Sequence, residues 1–448
     1  MMKRFGMLVL GLCFLGAGAM AAKTEMEMPG PAAFDPRIDE PGEFWKTTNE
    51  TFVTPKDRPF FRWNKSGPDG EAHHPAYADG PKLSFLGLRV YEANVGFTGG
   101  LVKDVKLSFY NRGDVGNWDQ KALDELVRKI DAAIQARTGK ETKPITMPRQ
   151  TMRDMTIQSR RWIKPPYRFT LQWSMIRDQQ GTRAEFVQLE IEQATSAKDG
   201  RNTPTVSLKT GSNGKAMDLK KNLAKEADGT VWIQNIPMVD QGAKGYCAVA
   251  TTERVMRYYG SEVSEHMLAG VANSSASGGT DPRAMLDALK KAGGKLGVSV
   301  KTLVDMDTIE RTLPLYNRGA KRAKKPEVSM AGITNISDLY EKLDPQLFLD
   351  TRCKEMKGDF ARFQKEVMQK VDAGIPLLWG VHLGLFPEEG LPQAGGGHMR
   401  LIIGYNVKTK ELVYSDSWGE KHAKKSMQVD QAWTMTNMLS ILEPRKSL

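Results

Sequence analysis

Four side chains in the second half of this sequence have the types and the order that acyl transfer at a thiol requires: Gln241, Cys247, His398 and Asp416. Cys247 lies in TVWIQNIPMVDQGAKGYCAVATTERVMRYYG. There Pro237, Gly242 and Gly245 mark a loop. Ala248, Ala250, Thr251, Val255, Met256 and Tyr259 then supply the buried face of a helix that Gly260 ends. The thiol is expected at the helix start, where unpaired N–H groups and the macrodipole favour a thiolate. A lone cysteine there reads equally well as a small core residue. Its companions change the balance. Gln241, on the loop before the helix, can bring a side-chain amide beside the Cys247 N–H, giving two donors for an oxyanion. His398 follows three glycines and opens the strand-like run HMRLIIGY; VKTK at 407–410 reads as a turn, and 411–415 as the return strand. Asp416 then comes back beside His398, where a carboxylate fixes the imidazole tautomer and favours its charged form. Trp418 is placed to screen that pair from water.

These groups need a scaffold, and the composition supplies one. The chain has 448 residues, of which 40% are apolar and 26% charged, which excludes a disordered tail, a collagen-like rod and a polytopic membrane protein. Three cysteines exclude a disulfide-built scaffold. The net charge of +11 is not gathered into a dense basic stripe, so no nucleic-acid partner is expected. Residues 1–21 (MMKRFGMLVLGLCFLGAGAMA) have a basic start, a short apolar run and an Ala-Met-Ala cleavage pattern, the form of a secretory signal. The run is shorter than a spanning helix needs. Leu12 before Cys13 argues against lipid attachment. A secreted or periplasmic protein with no stable membrane insertion after signal removal is expected.

Along the mature chain, residues 22–80 read as an extended arm rich in Pro, Gly and charge, with His73-His74 in a solvated loop. Residues 81–194 read as an α+β domain of unassigned role. In it, Leu83 to Tyr91 and Val102 to Tyr110 are strands joined through Gly99-Gly100. A helix capped by Asn117 carries Leu123, Val127, Ile130 and Ile134 on one face and ends at Gly139. Two alternating strands follow, for helix-on-antiparallel-sheet packing. Residues 195–229 read as a linker with a short helix around Met217–Glu226, and residues 230–448 as the domain that carries the chemistry.

Residues 230–448 resemble a papain-like cysteine peptidase domain, in its bacterial C39-like branch. Gln241-Gly242, the Cys247 helix ending Arg257-Tyr258-Tyr259-Gly260, the His398–Tyr405 strand and Asp416-Ser417-Trp418-Gly419 carry the likeness. His398 lies 151 residues beyond Cys247, the separation of papain-type enzymes. The resemblance implies an α+β fold with Cys247 as nucleophile, His398 as base, Asp416 as orienting residue and Gln241 as oxyanion residue. It also implies a peptide or protein substrate and no cofactor. Gly278-Gly279 matches the segment that pairs with substrate backbone in such enzymes, and reads equally as a flexible loop. Two departures stand out. Gly245-Tyr246-Cys247-Ala248 lacks the tryptophan that commonly follows the nucleophile. Asp416 replaces the more usual asparagine, which adds a charge and should raise the pKa of the base.

The remaining histidines and Cys353 read as structural: His382 as a wall residue, His266 and His422 as surface residues. There is no Cys-x-x-Cys, His-Glu-x-x-His or phosphate loop, so neither metal nor nucleotide is implied. Three rivals stay open: a thiol amidase acting on cell-wall peptides, a catalytically silent papain-fold binding protein, and an adhesion or carrier protein dominated by residues 22–229. Those residues read either as a pro-region that blocks the cleft or as a targeting module.

Overall fold

The computed structural model describes residues 32–53, 60–74, 82–152, 154–178, 181–202, 218–242, 245–261, 263–272, 280–305, 307–331, 336–393 and 395–445. The expected signal at 1–21 and the Gly278-Gly279 segment lie outside the described residues. Helices and largely antiparallel sheets make up the rest, consistent with the α+β class.

The first half is built on a nine-stranded sheet. Its main strands are β1 (Arg62–Lys65), β2 (Glu71–His74), β3 (Glu92–Thr98), β4 (Leu101–Asn111), β5 (Met155–Lys164), β6 (Tyr167–Asp178) and β7 (Gly181–Gln193). They run β1-β2-β3-β4-β7-β6-β5, each neighbour antiparallel. Strand alternation puts Val105 and Leu107, Phe169 and Leu171, and Leu189 and Ile191 on one face. They form a core with Leu123, Val127, Ile130 and Ile134 of α1 (Gln120–Thr138). The opposite face is polar, with Lys106, Ser108, Gln172, Gln188 and Glu190.

Several expectations are corrected here. The described residues of the 22–80 stretch do not form an extended arm: they contribute β1 and β2 to the sheet, and Phe34, Ile38, Phe44 and Phe52 to its core. Leu83 to Tyr91 is not one strand, because Leu86 and Gly87 turn at positive φ (56° and 69°) between two three-residue strands. Gly99-Gly100 instead joins β3 to β4. The cap of α1 is Asp119, whose Oδ1 accepts from Ala122 N at 2.8 Å, rather than Asn117.

The second half carries an eight-stranded sheet. Its strands are β8 (Leu223–Lys225), β9 (Val231–Ile233), β10 (Val298–Val304), β11 (Leu377–Leu383), β12 (Gly396–Asn406), β13 (Glu411–Ser415), β14 (Lys425–Gln428) and β15 (Thr436–Pro444). The path is β8-β9-β12-β11-β15-β10, with β13 on β12 and β14 on β13. The helix expected around Met217–Glu226 is instead a 3-10 turn, Leu219–Asn222, running into β8, which pairs with β9. Against the sheet lie α2 (Cys247–Tyr258), α3 (Glu265–Ala272), α4 (Pro282–Leu296), α5 (Thr308–Arg322) and α6 (Lys357–Asp372). Asp281 caps α4 by accepting from Ala284 N at 2.9 Å, with Pro282 in its first turn, as the sequence indicates.

The two halves share one apolar core. Met155, Ile157, Ile176 and Phe186 of β5, β6 and β7 belong to the same buried cluster as Val249, Val255, Met267 and Leu268 of α2 and α3. At Gly270 of α3 an added Cβ would lie 3.1 Å from Met155 Sδ and 3.3 Å from Glu185 Cγ, so that helix lies close against the first sheet.

Candidate active site

Cys247 is the first residue of α2, half-buried, after a loop shaped by Asp240. The Asp240 carboxylate accepts from Gly242 N at 2.9 Å, and Gln241 N donates to Ser417 O at 2.9 Å. Gln241 is thus held, buried, between the helix start and the Asp416 loop. Thr251, one turn into α2, donates to Met399 O and contacts Ser417 Oγ, both at 3.1 Å, and so ties the helix to β12 and to the same loop.

His398 sits near the start of β12 opposite Val381 of β11, and Leu401 pairs with Ser415 across the β12–β13 hairpin. That register returns Asp416 to the imidazole as expected. The His398 Nε2 to Asp416 Oδ1 distance is 2.9 Å, and both side chains are fully buried. Nδ1 is buried without a conventional hydrogen-bond partner, and the ring meets the Cys247 thiol. Trp418 covers the ring in a parallel stack, centroids 4.2 Å apart and planes 3° from coplanar.

The three ionisations support one another. Burial pushes the Cys247 thiol up, but the His398 hydrogen bond and charge, with backbone contacts at Met399 and Ala248, hold its pKa below the ordinary value. Burial pushes His398 down, yet the Asp416 and Cys247 contacts raise it overall. Burial likewise opposes the Asp416 carboxylate, and His398 with Arg400 holds it below the usual range.

Sequence reasoning missed Arg400. It stands two residues beyond His398, on the same face of β12, fully buried. Its Nε donates to the same Asp416 Oδ1 at 2.9 Å, and its Nη1 pairs with Glu388 at 2.9 Å. The guanidinium lies 4.5 Å from the Tyr414 ring centre, and Tyr414 donates to Glu388 at 2.6 Å. Arg254 of α2 was missed too: it donates to Pro237 O at 2.9 Å, to Asp416 O at 2.8 Å and to Ser415 Oγ at 2.5 Å. A charged residue inside an apolar run such as HMRLIIGY was the available signal, since a buried guanidinium needs carboxylates.

Other expectations are corrected. His73 and His74 are not in a solvated loop: they are buried in β2, with Nδ1 contacts to Asn94 Oδ1 at 2.7 Å and to Phe60 O at 2.5 Å. His266 is not a surface residue either; it is buried in α3. His422 is half-buried, edge-on to Trp418. His382 is a buried wall residue as expected, stacked on Tyr340 at 4.2 Å, and burial pushes its pKa down to about 4. Cys353 is half-buried, and both described cysteines are free thiols.

Glu92, Glu265 and His266 are grouped closely enough to suggest a cation. The hydrogen bonding argues otherwise. Asn111 Oδ1 is committed to Gly113 N at 2.9 Å, so its Nδ2 must face His266 Nδ1. A neutral ring then carries its proton on Nε2, 3.4 Å from Glu92 Oε2, and offers a metal no lone pair there.

Compared with known proteins, residues 233–441 match the model of the Peptidase C39-like family, which marks this stretch as a papain-like, C39-like peptidase segment. No curated protein matches the chain.

Proposed function

We propose that the C39-like segment makes this protein an exported cysteine peptidase, secreted or periplasmic, that hydrolyses peptide bonds through Cys247, His398 and Asp416 by way of a thioester. His398 Nδ1 takes the thiol proton, and Asp416 holds the resulting imidazolium through Nε2. The thiolate attacks the peptide carbonyl carbon. The oxyanion is held by the Cys247 N–H, backed by the dipole of α2, and by the Gln241 side-chain amide. As the tetrahedral adduct collapses, His398 gives its proton to the departing amine and an acyl-thioester remains. Water, deprotonated by His398, attacks the thioester, and the acid product leaves with the thiol restored.

The observation that carries this reading is the buried imidazole gripped by a carboxylate at one nitrogen and set against a low-pKa thiol at the other. Alkylation by iodoacetamide as a function of pH tests it. Cys247 should react well below the ordinary thiol pKa, while Cys353, which burial pushes up, should not. Cys247→Ala should abolish both the reaction and hydrolysis, a loss of about 10⁴-fold or more. Protein substrates cut with wall peptides untouched support the peptidase reading. The reverse makes it an amidase of the wall, and a reactive thiol with neither activity leaves a binding protein.

A further inference from the structure

Resting on that reading, we propose that the N-terminal domain is a permanent positioning element of the active site, with Arg62, Ser66 and the Asn111–Gly113 turn fixing the loops that present Gln241, Asp416 and Cys247. Three of the four reacting groups sit on segments tied to it. Arg62 Nη2 of β1 pairs with Asp240 Oδ2 at 2.7 Å, and Asp240 is the buried carboxylate that caps the Gln241 turn. Ser66, just past β1, donates through N and Oγ to Glu420 Oε1 at 3.2 and 2.6 Å. Glu420 begins the 3-10 turn Glu420–His422, whose His422 O accepts from Asp416 N at 3.0 Å.

Tyr246 supplies the third link. It directly precedes the nucleophile, it is fully buried, and its hydroxyl reaches Asn111 Oδ1 at 3.4 Å. Its ring closes on Gly113 so tightly that an added Cβ there would fall 1.9 Å from the Tyr246 oxygen. Tyr246 O in turn accepts from Ala250 N at 2.8 Å, so the ring anchors the first turn of α2. Further along α2, Arg257 Nη2 meets Glu71 of β2 at 2.9 Å. Only His398 rides on β12, inside the second sheet.

A removable inhibitory pro-region should leave an intact catalytic domain behind it. This domain instead shares an apolar core with α2 and α3 and pairs with the loops that carry the reacting groups. Its removal would free the segments that fix donor, nucleophile and orienting carboxylate. A displacement of about 1 Å at such groups costs about 100-fold in rate.

The test uses the full chain, with kcat, KM and the iodoacetamide rate at Cys247 measured side by side. Alkylation forms no oxyanion, so it reports the thiolate without the Gln241 loop. Arg62→Ala should lower kcat by about 10- to 100-fold, with a smaller change in KM and an unchanged alkylation rate, and Arg62→Lys should recover part of the loss. Gly113→Ala, which drives the Tyr246 ring out of its seat, should lower the alkylation rate as well as kcat. Should Gly113→Ala fail to fold, Arg62→Ala and Arg62→Lys carry the test alone. Wild-type kcat in Arg62→Ala, or a kcat that Arg62→Lys does not raise above the alanine value, overturns the positioning role. Absence of hydrolysis and of a low-pKa thiol in the wild type overturns the peptidase reading instead.

Discussion

Two buried histidines, each beside a carboxylate, make opposite use of similar surroundings. His398 has Asp416 at Nε2 and leaves Nδ1 to the Cys247 thiol. His266, at the seam between the halves, has Glu92 near Nε2 and the Asn111 amide on Nδ1, so neither nitrogen is left for chemistry. The carboxylates differ as well. Asp416 is shared with a buried arginine, which helps keep it ionised, whereas the seam gathers Glu71, Glu92, Glu253 and Glu265, with Arg257 paired to Glu71 and Glu253. Burial with a carboxylate therefore does not make a general base. What distinguishes the candidate active site is an unclaimed ring nitrogen beside a thiol, the arrangement that the proposed chemistry requires.

The sharpest way to break the comparison is to remove each ring. His398→Ala should cost about 10⁴-fold or more in kcat/KM and erase Cys247 alkylation at neutral pH, and the loss of its Asp416 and Trp418 contacts should lower the melting temperature as well. His266→Ala should act on stability alone. It leaves the Asn111 amide and the Glu92 carboxylate without the ring between them, at a cost of about 1–3 kcal/mol, seen as a lower melting temperature. The pH profile of the hydrolysis that remains should stay where it was. Equal effects of the two substitutions on that profile would dissolve the distinction.

Asp416→Asn should follow in size, at about 10²- to 10⁴-fold in kcat. The thiolate–imidazolium pair exists above the Cys247 pKa and below that of His398. Asp416 helps hold His398 up, and the charge of His398 holds Cys247 down. With the carboxylate charge gone, the alkaline limb of the profile should move down, narrowing the active window from that side. Arg400→Gln tests the same balance with the opposite sign. Losing a cation beside Asp416 should raise His398 and move the alkaline limb upward, although the unpaired Glu388 should also lower the melting temperature.

Much of the site was legible because its chemistry is local in sequence. Cys247 opens a helix whose apolar spacing is plain, and a four-residue turn fixes the hairpin that returns Asp416 to His398. The seam was not legible, since its partners are far apart along the chain. Asn111 meets Tyr246 and His266 across 135 and 155 residues, and Glu71 meets Arg257 across 186. No periodicity records such pairings. The polar run around β1 and β2 looked like solvated loop because strand alternation there sets charged side chains on the face turned to the other domain. That face lines a cavity of about 490 Å³ together with residues of α2 and α3. Tyr246, one residue before the nucleophile, becomes intelligible only with the Asn111–Gly113 turn beside it.

The smallest expected effect is the pH dependence that one seam residue gives to stability. Burial, aided by Glu71 and Glu92 and opposed by Arg257, pushes Glu253 up to about 7, from 4.5. An acid that binds its proton more tightly when folded stabilises the fold while protonated. That contribution is full below about 4.5 and is lost as pH rises through about 7. Asp416 and Glu71 have lowered values, so their contributions are present at neutral pH and disappear only in more acidic solution, below the ordinary carboxylate range. Between pH 8 and 5.5 the Glu253 proton should therefore tighten the seam, while in the other cluster the raised His398 gains and the lowered Cys247 loses as pH falls, and the melting temperature should rise by a few degrees on acidification. Glu253→Gln, which keeps an acceptor for Glu265 N, should flatten that rise and leave the acid limb of hydrolysis in place. A rise undiminished in Glu253→Gln would move the proton to another group and remove the contribution assigned to Glu253.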